Sequence, residues 1–120
     1  MARIEKINHA IKKEISNIVL FEIKDPRLKL VTITHVEVSR DLQHAKVYFS
    51  FLGNTKETKE AQEGLDSARG FIRRLVGQRI RMRYTPQIDF IFDKSIAYGI
   101  QIEQAIEKVK NELKSHPPDD

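Results

Sequence analysis

Cysteine is absent from this chain. That removes disulfides, thiol nucleophiles and thiolate metal sites together, and it suits a reducing compartment. Long apolar runs are absent too. The longest, such as Ile18-Val19-Leu20-Phe21, hold about four residues, against the roughly 20 that a bilayer-spanning helix needs, so no membrane span is expected. The N-terminus, Met1-Ala2-Arg3-Ile4-Glu5-Lys6, enters a charged amphipathic pattern with no apolar h-region and no small-residue cleavage site, which points to a cytoplasmic protein. There is no GxxxxGK(S/T) loop, no GxGxxG after a strand and no GxSxG elbow, so the common nucleotide-handling and acyl-transfer signatures are missing. The last absence is of one sign of charge: no acidic residue lies between Asp66 and Asp89.

What is present fits one domain. A chain of 120 residues has the commonest domain size and leaves no room for a second core. With 40% hydrophobic and 32% charged residues, it reads as globular with a heavily charged surface, neither disordered nor membrane-embedded. The net charge of +4 and pI of about 9.4 favour a polyanionic partner over an acidic protein or a cationic ligand.

Ile4, Ile7, Ile11, Ile15 and Ile18 recur at three- and four-residue steps and predict a helix over residues 3–23, ended by Lys24-Asp25-Pro26 because proline disfavours helical geometry before it. Residues 31–39 are rich in β-branched side chains and predict a strand. After a short turn at Arg40-Asp41-Leu42-Gln43, the alternation of Ala45, Val47, Phe49 and Phe51 predicts its hairpin partner. A polar helix is expected from Thr55 or Lys56, with Ala61, Leu65, Ala68, Ile72 and Leu75 at helical spacing and Gly77 marking its end. Its stripe runs through Gly64 and Gly70, each of which costs about 1 kcal/mol relative to alanine, so a kink is expected near Gly70. Beyond it, Ile80, Met82 and Tyr84 alternate, Pro86 interrupts, and Ile88, Phe90 and Phe92 complete a third strand. Ile102, Ile106, Val109 and Leu113 predict one more amphipathic helix, ahead of a tail at Pro117-Pro118-Asp119-Asp120. The order gives an α+β layer, a three-stranded sheet with helices packed on one face.

Arg69, Arg73, Arg74, Arg79, Arg81 and Arg83 crowd into a span of fifteen positions within the acid-free stretch. Projected as a helix, Arg69, Arg73, Arg74 and Arg81 share the arc opposite Phe71, Ile72, Leu75 and Val76. Guanidinium groups suit phosphate because a planar fork of donors can engage two oxygens and keeps its charge at physiological pH, and Gly70 would let a sugar-phosphate chain approach the backbone. The plainer reading is a solvated face. Such faces ordinarily interleave acids, as Glu103, Glu107, Lys108, Lys110 and Glu112 do, and this segment does not. Lys12 and Lys13 extend the expected basic surface. If about six charges meet single-stranded phosphates, log K should fall against log salt with a slope of roughly −4.

Other chemistries have less to stand on. His9, His35, His44 and His116 are scattered with no metal-ligand spacing. Asp25, Asp41 and Asp93 fall at turns or caps, where aspartate binds nearby backbone N–H groups. Asp89 and Asp93 share a strand face but nothing orients a nucleophile, so a hydrolase is the weakest reading. A protein-interaction module using the open sheet face, with Tyr48 and Ile91 on it and RNA contact incidental, is the stronger alternative. No cofactor, metal or small-molecule substrate is expected, and no leftover apolar stripe demands a dimer, so a monomer is expected.

Several strings together resemble bacterial ribosome-binding factor A. Lys24-Asp25-Pro26-Arg27-Leu28 is similar to that family's post-helix loop, and Ser39-Arg40-Asp41-Leu42 with Ala45-Lys46-Val47-Tyr48 to its hairpin. Gly70-Phe71-Ile72-Arg73 resembles the start of its second central helix, and Pro86-Gln87-Ile88-Asp89-Phe90 with Asp93-Lys94-Ser95 its last strand and exit. The resemblance spans about residues 3–113 and implies a type II KH-like fold, in which the nucleotide-clamping GXXG loop of KH domains gives way to a helix-kink-helix at Ala68-Arg69-Gly70. It also implies a domain over 1–114 with a flexible tail at 115–120. In function it implies a non-enzymatic assembly factor binding free small (30S) subunits and the 5′-terminal helix region of 16S rRNA, assisting late maturation and rRNA processing, particularly in the cold. The candidate RNA-binding residues are then Arg69, Gly70, Arg73, Arg74, Arg79, Arg81, Lys12 and Lys13, with Ala68 and Gly70 as the kink.

Overall fold

A computed structural model of the chain describes residues 3–94. The expected last helix around Ile102–Leu113 and the tail at 115–120 lie outside the described residues. Within them the architecture is α+β, as expected: helix α1 (Arg3–Asn17), strands β1 (Val31–Val38) and β2 (His44–Phe51), helix α2 (Thr55–Arg79) and strand β3 (Gln87–Phe92). The sheet order is β1-β2-β3. β1 and β2 form the antiparallel hairpin, and β3 runs parallel to β2 in register His44↔Gln87 to Phe49↔Phe92. A parallel neighbour needs a crossover, and α2 supplies it.

One face of the sheet carries the core. Val31, Ile33, Val36 and Val38 of β1, Ala45, Val47 and Phe49 of β2, and Ile88 and Phe90 of β3 are buried against Ile11 and Ile15 of α1 and Ala61, Leu65, Ile72 and Val76 of α2. β1 would lose this alternation between Ile33 and Val36, which are three apart. A register shift between Ile33 and His35 inserts Thr34 and restores it, as a β-bulge does. The tight turn before β2 closes with Leu42 N–H donating to Ser39 O, and Leu42 sits at φ 61°, a left-handed conformation unfavourable for leucine; its side chain packs against the core.

Four features differ from expectation. The first helix is regular only to Asn17; Ile18–Glu22 form a π turn that buries Ile18 and Val19, the extra residue per turn rotating the chain before Pro26. In α2, one helix runs without interruption across Ala68, Arg69 and Gly70 with no glycine at positive φ, so the segments expected on either side of Ala68-Arg69-Gly70 belong to one continuous element. Gly70 keeps helical geometry because its cost, about 1 kcal/mol, is carried by a buried stripe that continues from Ala61 and Leu65 to Ile72 and Val76. The close backbone approach belongs to Gly64, where a Cβ would lie 3.0 Å from Leu28 Cδ2 and 3.2 Å from Asp25 Oδ2. That loop is shaped by Asp25, which accepts from Arg27 N–H at 3.0 Å and pairs with its guanidinium at 2.8 Å.

The helix also outlasts Gly77 and ends at Arg79, with Ile80 extended beyond it. Its start is secured by a reciprocal cap between Asn54 and Glu57, which satisfies two of the otherwise unpaired first N–H groups. Finally, Ile80–Pro86 is a loop; β3 begins only at Gln87. Pro86 has no N–H for a ladder, and residues 81, 83 and 84 are exposed, so Ile80 and Met82 anchor a loop to the core edge while Tyr84 faces outward, and the alternation makes no strand.

Candidate nucleic-acid interface

The acid-free stretch folds as the C-terminal half of α2 followed by the 80–86 loop, and the two are fastened to each other. Arg73 reaches from the helix to donate from Nε to Pro86 O at 3.1 Å and from Nη2 to Thr85 O at 2.9 Å. Gly77 lies against Thr85, whose Oγ1 would be 2.5 Å from a Cβ there. Between helix and loop runs a groove of about 590 Å³ whose lining includes Gly70, Arg74, Gln78, Arg83 and Tyr84. No carboxylate of the described residues lines it.

The six arginines of the stretch divide by what already holds them. Arg69 donates to Asp66 at 2.7 Å, and its Nε is shielded from solvent without a hydrogen-bond partner. Arg73 spends two donors on the loop. Arg79 makes a two-pronged pair with Glu22, 2.6 Å for one prong, and lies 3.6 Å from Glu14, so it ties the end of α2 to α1 and the π turn. Arg74 and Arg83 lie over aromatic rings, 5.6 Å from the Phe71 centroid and 5.5 Å from the Tyr84 centroid, with no acid among the described residues paired to them. Such cation–π contacts orient a guanidinium without neutralising it. Arg81 falls past the end of α2, so the helical projection that placed it beside Arg69 does not apply, and it has no ion-pair partner among the described residues. Phe71, expected on the core side, is 38% exposed beneath Arg74.

Gly70 faces open space, with nothing within 4 Å of a Cβ placed on it. Gly70→Ala should therefore raise stability by about 0.5–1 kcal/mol, the helix-propensity difference, in urea denaturation, whereas Gly77→Ala must displace Thr85 and should lower it. Lys12 and Lys13 lie on α1, Lys13 exposed and Lys12 half-buried, and neither lines the groove. The structure thus gathers Gly70, Arg73 and Arg74 of the expected set into one groove and adds Arg83 and Tyr84. The signal for those two was an aromatic flanked by arginine inside the acid-free stretch.

The Arg79 pair has a pH signature. Hydrogen bonding to Arg79 holds the Glu22 carboxyl below the ordinary glutamate range; desolvation opposes this, and the Arg79 charge adds a lesser lowering. A depressed folded-state pKa adds stability above the unfolded value and loses it as pH falls through the folded one. Melting curves of the parent and Glu22→Gln should therefore differ near neutral pH and converge in acid below the usual value of 4.5.

The sheet's other face is polar and mixed in sign. Glu37, Lys46 and Asp89 lie in one row across the strands, and His35, Tyr48 and Ile91 in the next. The Tyr48 hydroxyl donates to Glu37 at 3.3 Å and its ring lies 5.6 Å from that of His35; desolvation first, then the Glu37 charge, pushes its phenol pKa up. Asp93 accepts from Thr34 Oγ1 at 3.3 Å. Among the described residues no three His, Cys, Asp or Glu side chains cluster as metal ligands, and no helix is long and apolar enough to cross a membrane.

Comparison with other proteins agrees with this architecture. Residues 3–106 match the family model described as ribosome-binding factor A. A relative from Halothermothrix orenii, named ribosome-binding factor A, is 48% identical over 94% of this chain and 93% of its own length. Among solved structures, ribosome-binding factor A from Thermus thermophilus superposes with a TM-score of 0.68 at 23% identity, over 75% of this chain and 96% of that one. A Thermus thermophilus homology model of the factor, fitted into a cryo-electron microscopy map of its complex with the 30S subunit, gives 0.63 at 24% identity over 79% and 97%. The chain belongs to the ribosome-binding factor A family.

Proposed function

We propose that this chain is a non-catalytic, cytoplasmic assembly factor that binds free 30S subunits and the 5′-terminal helix region of 16S rRNA, and assists late maturation and rRNA processing. Residues 1–114 would form its KH-like RNA-binding domain, acting as a monomer, with 115–120 as a tail. Family membership supports the ribosomal setting, and the 30S complex described for the Thermus thermophilus factor supports the partner. The observation that carries RNA contact is the acid-free groove beside Gly70, flanked by the guanidinium groups of Arg74 and Arg83. The mixed charges of the sheet's open face suit a polyanion less well.

In this reading Arg74, Arg81 and Arg83 meet phosphates, Arg69 supplements them, Arg73 positions the loop, and Arg79 braces the helix end. About four charges then engage, so the slope of log K against log salt should be roughly −3 on single-stranded RNA, shallower than six free arginines would give. Titrating subunit-derived rRNA fragments across a salt series measures it. A slope near zero, or binding that survives charge reversal in the groove, would move the contact to the sheet's open face. Gly70→Ala should bind RNA less tightly while being the more stable protein, since its methyl group occupies the open approach.

A further inference from the structure

Tyr84 is 61% exposed, yet the loop that carries it is tightly held. Arg73 grips the carbonyls of the next two residues, Thr85 and Pro86, Gly77 seats Thr85 from the helix side, and Pro86 is buried. A large apolar ring is thus displayed on a braced support. It also stands where two hollows meet: the groove of about 590 Å³ on the helix side, and a second of about 340 Å³ on the sheet side. Tyr84, Arg73 and Thr85 line both.

The sheet-side hollow exists because β2 and β3 are parallel and begin together. His44 pairs with Gln87 in register, and Gln87 N–H donates to Gln43 O at 2.8 Å. This brings the side chains of Gln43, His44 and Gln87 to the hollow beside Tyr84. Amide and imidazole groups offer both donors and acceptors, which suits the edge of a base. The helix-side hollow offers Arg74 and the open backbone at Gly70, which suits a phosphate. Arg83, with its guanidinium 5.5 Å from the Tyr84 centroid, adds a flat cation to a flat ring.

We infer that Tyr84 is a stacking post for unpaired RNA, taking one base against its ring with the sheet-side hollow reading that base's edge while Arg74 and Arg83 hold the adjoining phosphates. This deepens the reading proposed above and rests on it. It makes single-stranded RNA the ligand class, because the bases of a duplex already have both faces stacked.

The test uses the full chain and a short single-stranded RNA containing 2-aminopurine, with the same sequence as a duplex for comparison. Wild type should prefer the single strand and change the probe's fluorescence. Tyr84→Ala should weaken single-strand binding roughly tenfold or more without changing the salt slope, since the ring carries no charge. Tyr84→Phe should restore binding, whereas Arg83→Gln should reduce the slope by about one. Equal binding by wild type and Tyr84→Ala, or equal affinity for strand and duplex, overturns the stacking post while leaving the Arg74-dependent contact in place. No binding of either RNA by the wild type overturns both.

Discussion

Reversing Arg74 and Arg83 together to glutamate is expected to weaken binding to free 30S subunits by a hundredfold or more while leaving the melting temperature nearly unchanged. The size follows from losing two charge-assisted contacts, each of about 1.5–3 kcal/mol, where 1.4 kcal/mol is tenfold in affinity; the new carboxylates add repulsion. Intactness follows from the structure. Both side chains lie on the surface against exposed rings, with no ion pair among the described residues to lose, and substitutions of that kind ordinarily move stability by about half a kcal/mol. Sedimentation of the variant with purified subunits, beside a thermal melt, reads both. Arg79 is the contrasting control: a glutamate there would face Glu14 and Glu22 and should lower the melting temperature first.

Arg73 should behave differently from its neighbour. Arg73→Ala removes both donors that hold Thr85 O and Pro86 O, so it should lower stability by about 3 kcal/mol, the low end for two hydrogen bonds to a charged group because the side chain is only half-buried. It should also weaken RNA binding, because the loop carrying Arg83 and Tyr84 loses its brace. Arg73→Lys should recover little of either, since one ammonium on a flexible stem does not reproduce the planar fork that spans two successive carbonyls. Urea unfolding gives the stability change. Amide exchange restricted to residues 81–87 distinguishes a released loop from global unfolding.

That two arginines one position apart have such different fates was not legible in the chain. Periodicity and composition read the one-sided charge correctly, because a run without acids between Asp66 and Asp89 is a property of the string. Which guanidinium is already occupied depends on residues far away: Arg79 is paired with a glutamate 57 positions earlier, and Arg73 with carbonyls of a loop whose conformation no local rule dictates. The hairpin was legible for the opposite reason. β-branched residues over Val31–Val38 and strict alternation in Ala45, Val47 and Phe49 encode both structure and inward face locally; only the bulge at Thr34 escaped, since one extra residue leaves the composition unchanged.

Gly70 does not interrupt α2. Gly70 marks a weak point in helix propensity, but propensity of about 1 kcal/mol yields to a buried stripe extending on both sides of it. The same propensity argument applies equally to Gly64, where the reason for glycine is the approach of the Asp25–Leu28 loop, a tertiary fact. Ile80, Met82 and Tyr84 misled. Their alternation imitates a strand, and what denies them one is Pro86 together with the clamp from Arg73.

Ultraviolet cross-linking of the full chain bound to free 30S subunits, followed by peptide mapping, tests the account most directly. Cross-linked rRNA should fall on the peptides carrying Gly70–Arg74 and Arg83–Thr85, and should be lost in the Arg74→Glu, Arg83→Glu variant. Cross-links confined instead to Thr32–Glu37 and Lys46–Ser50, on the open face of the sheet, would contradict it.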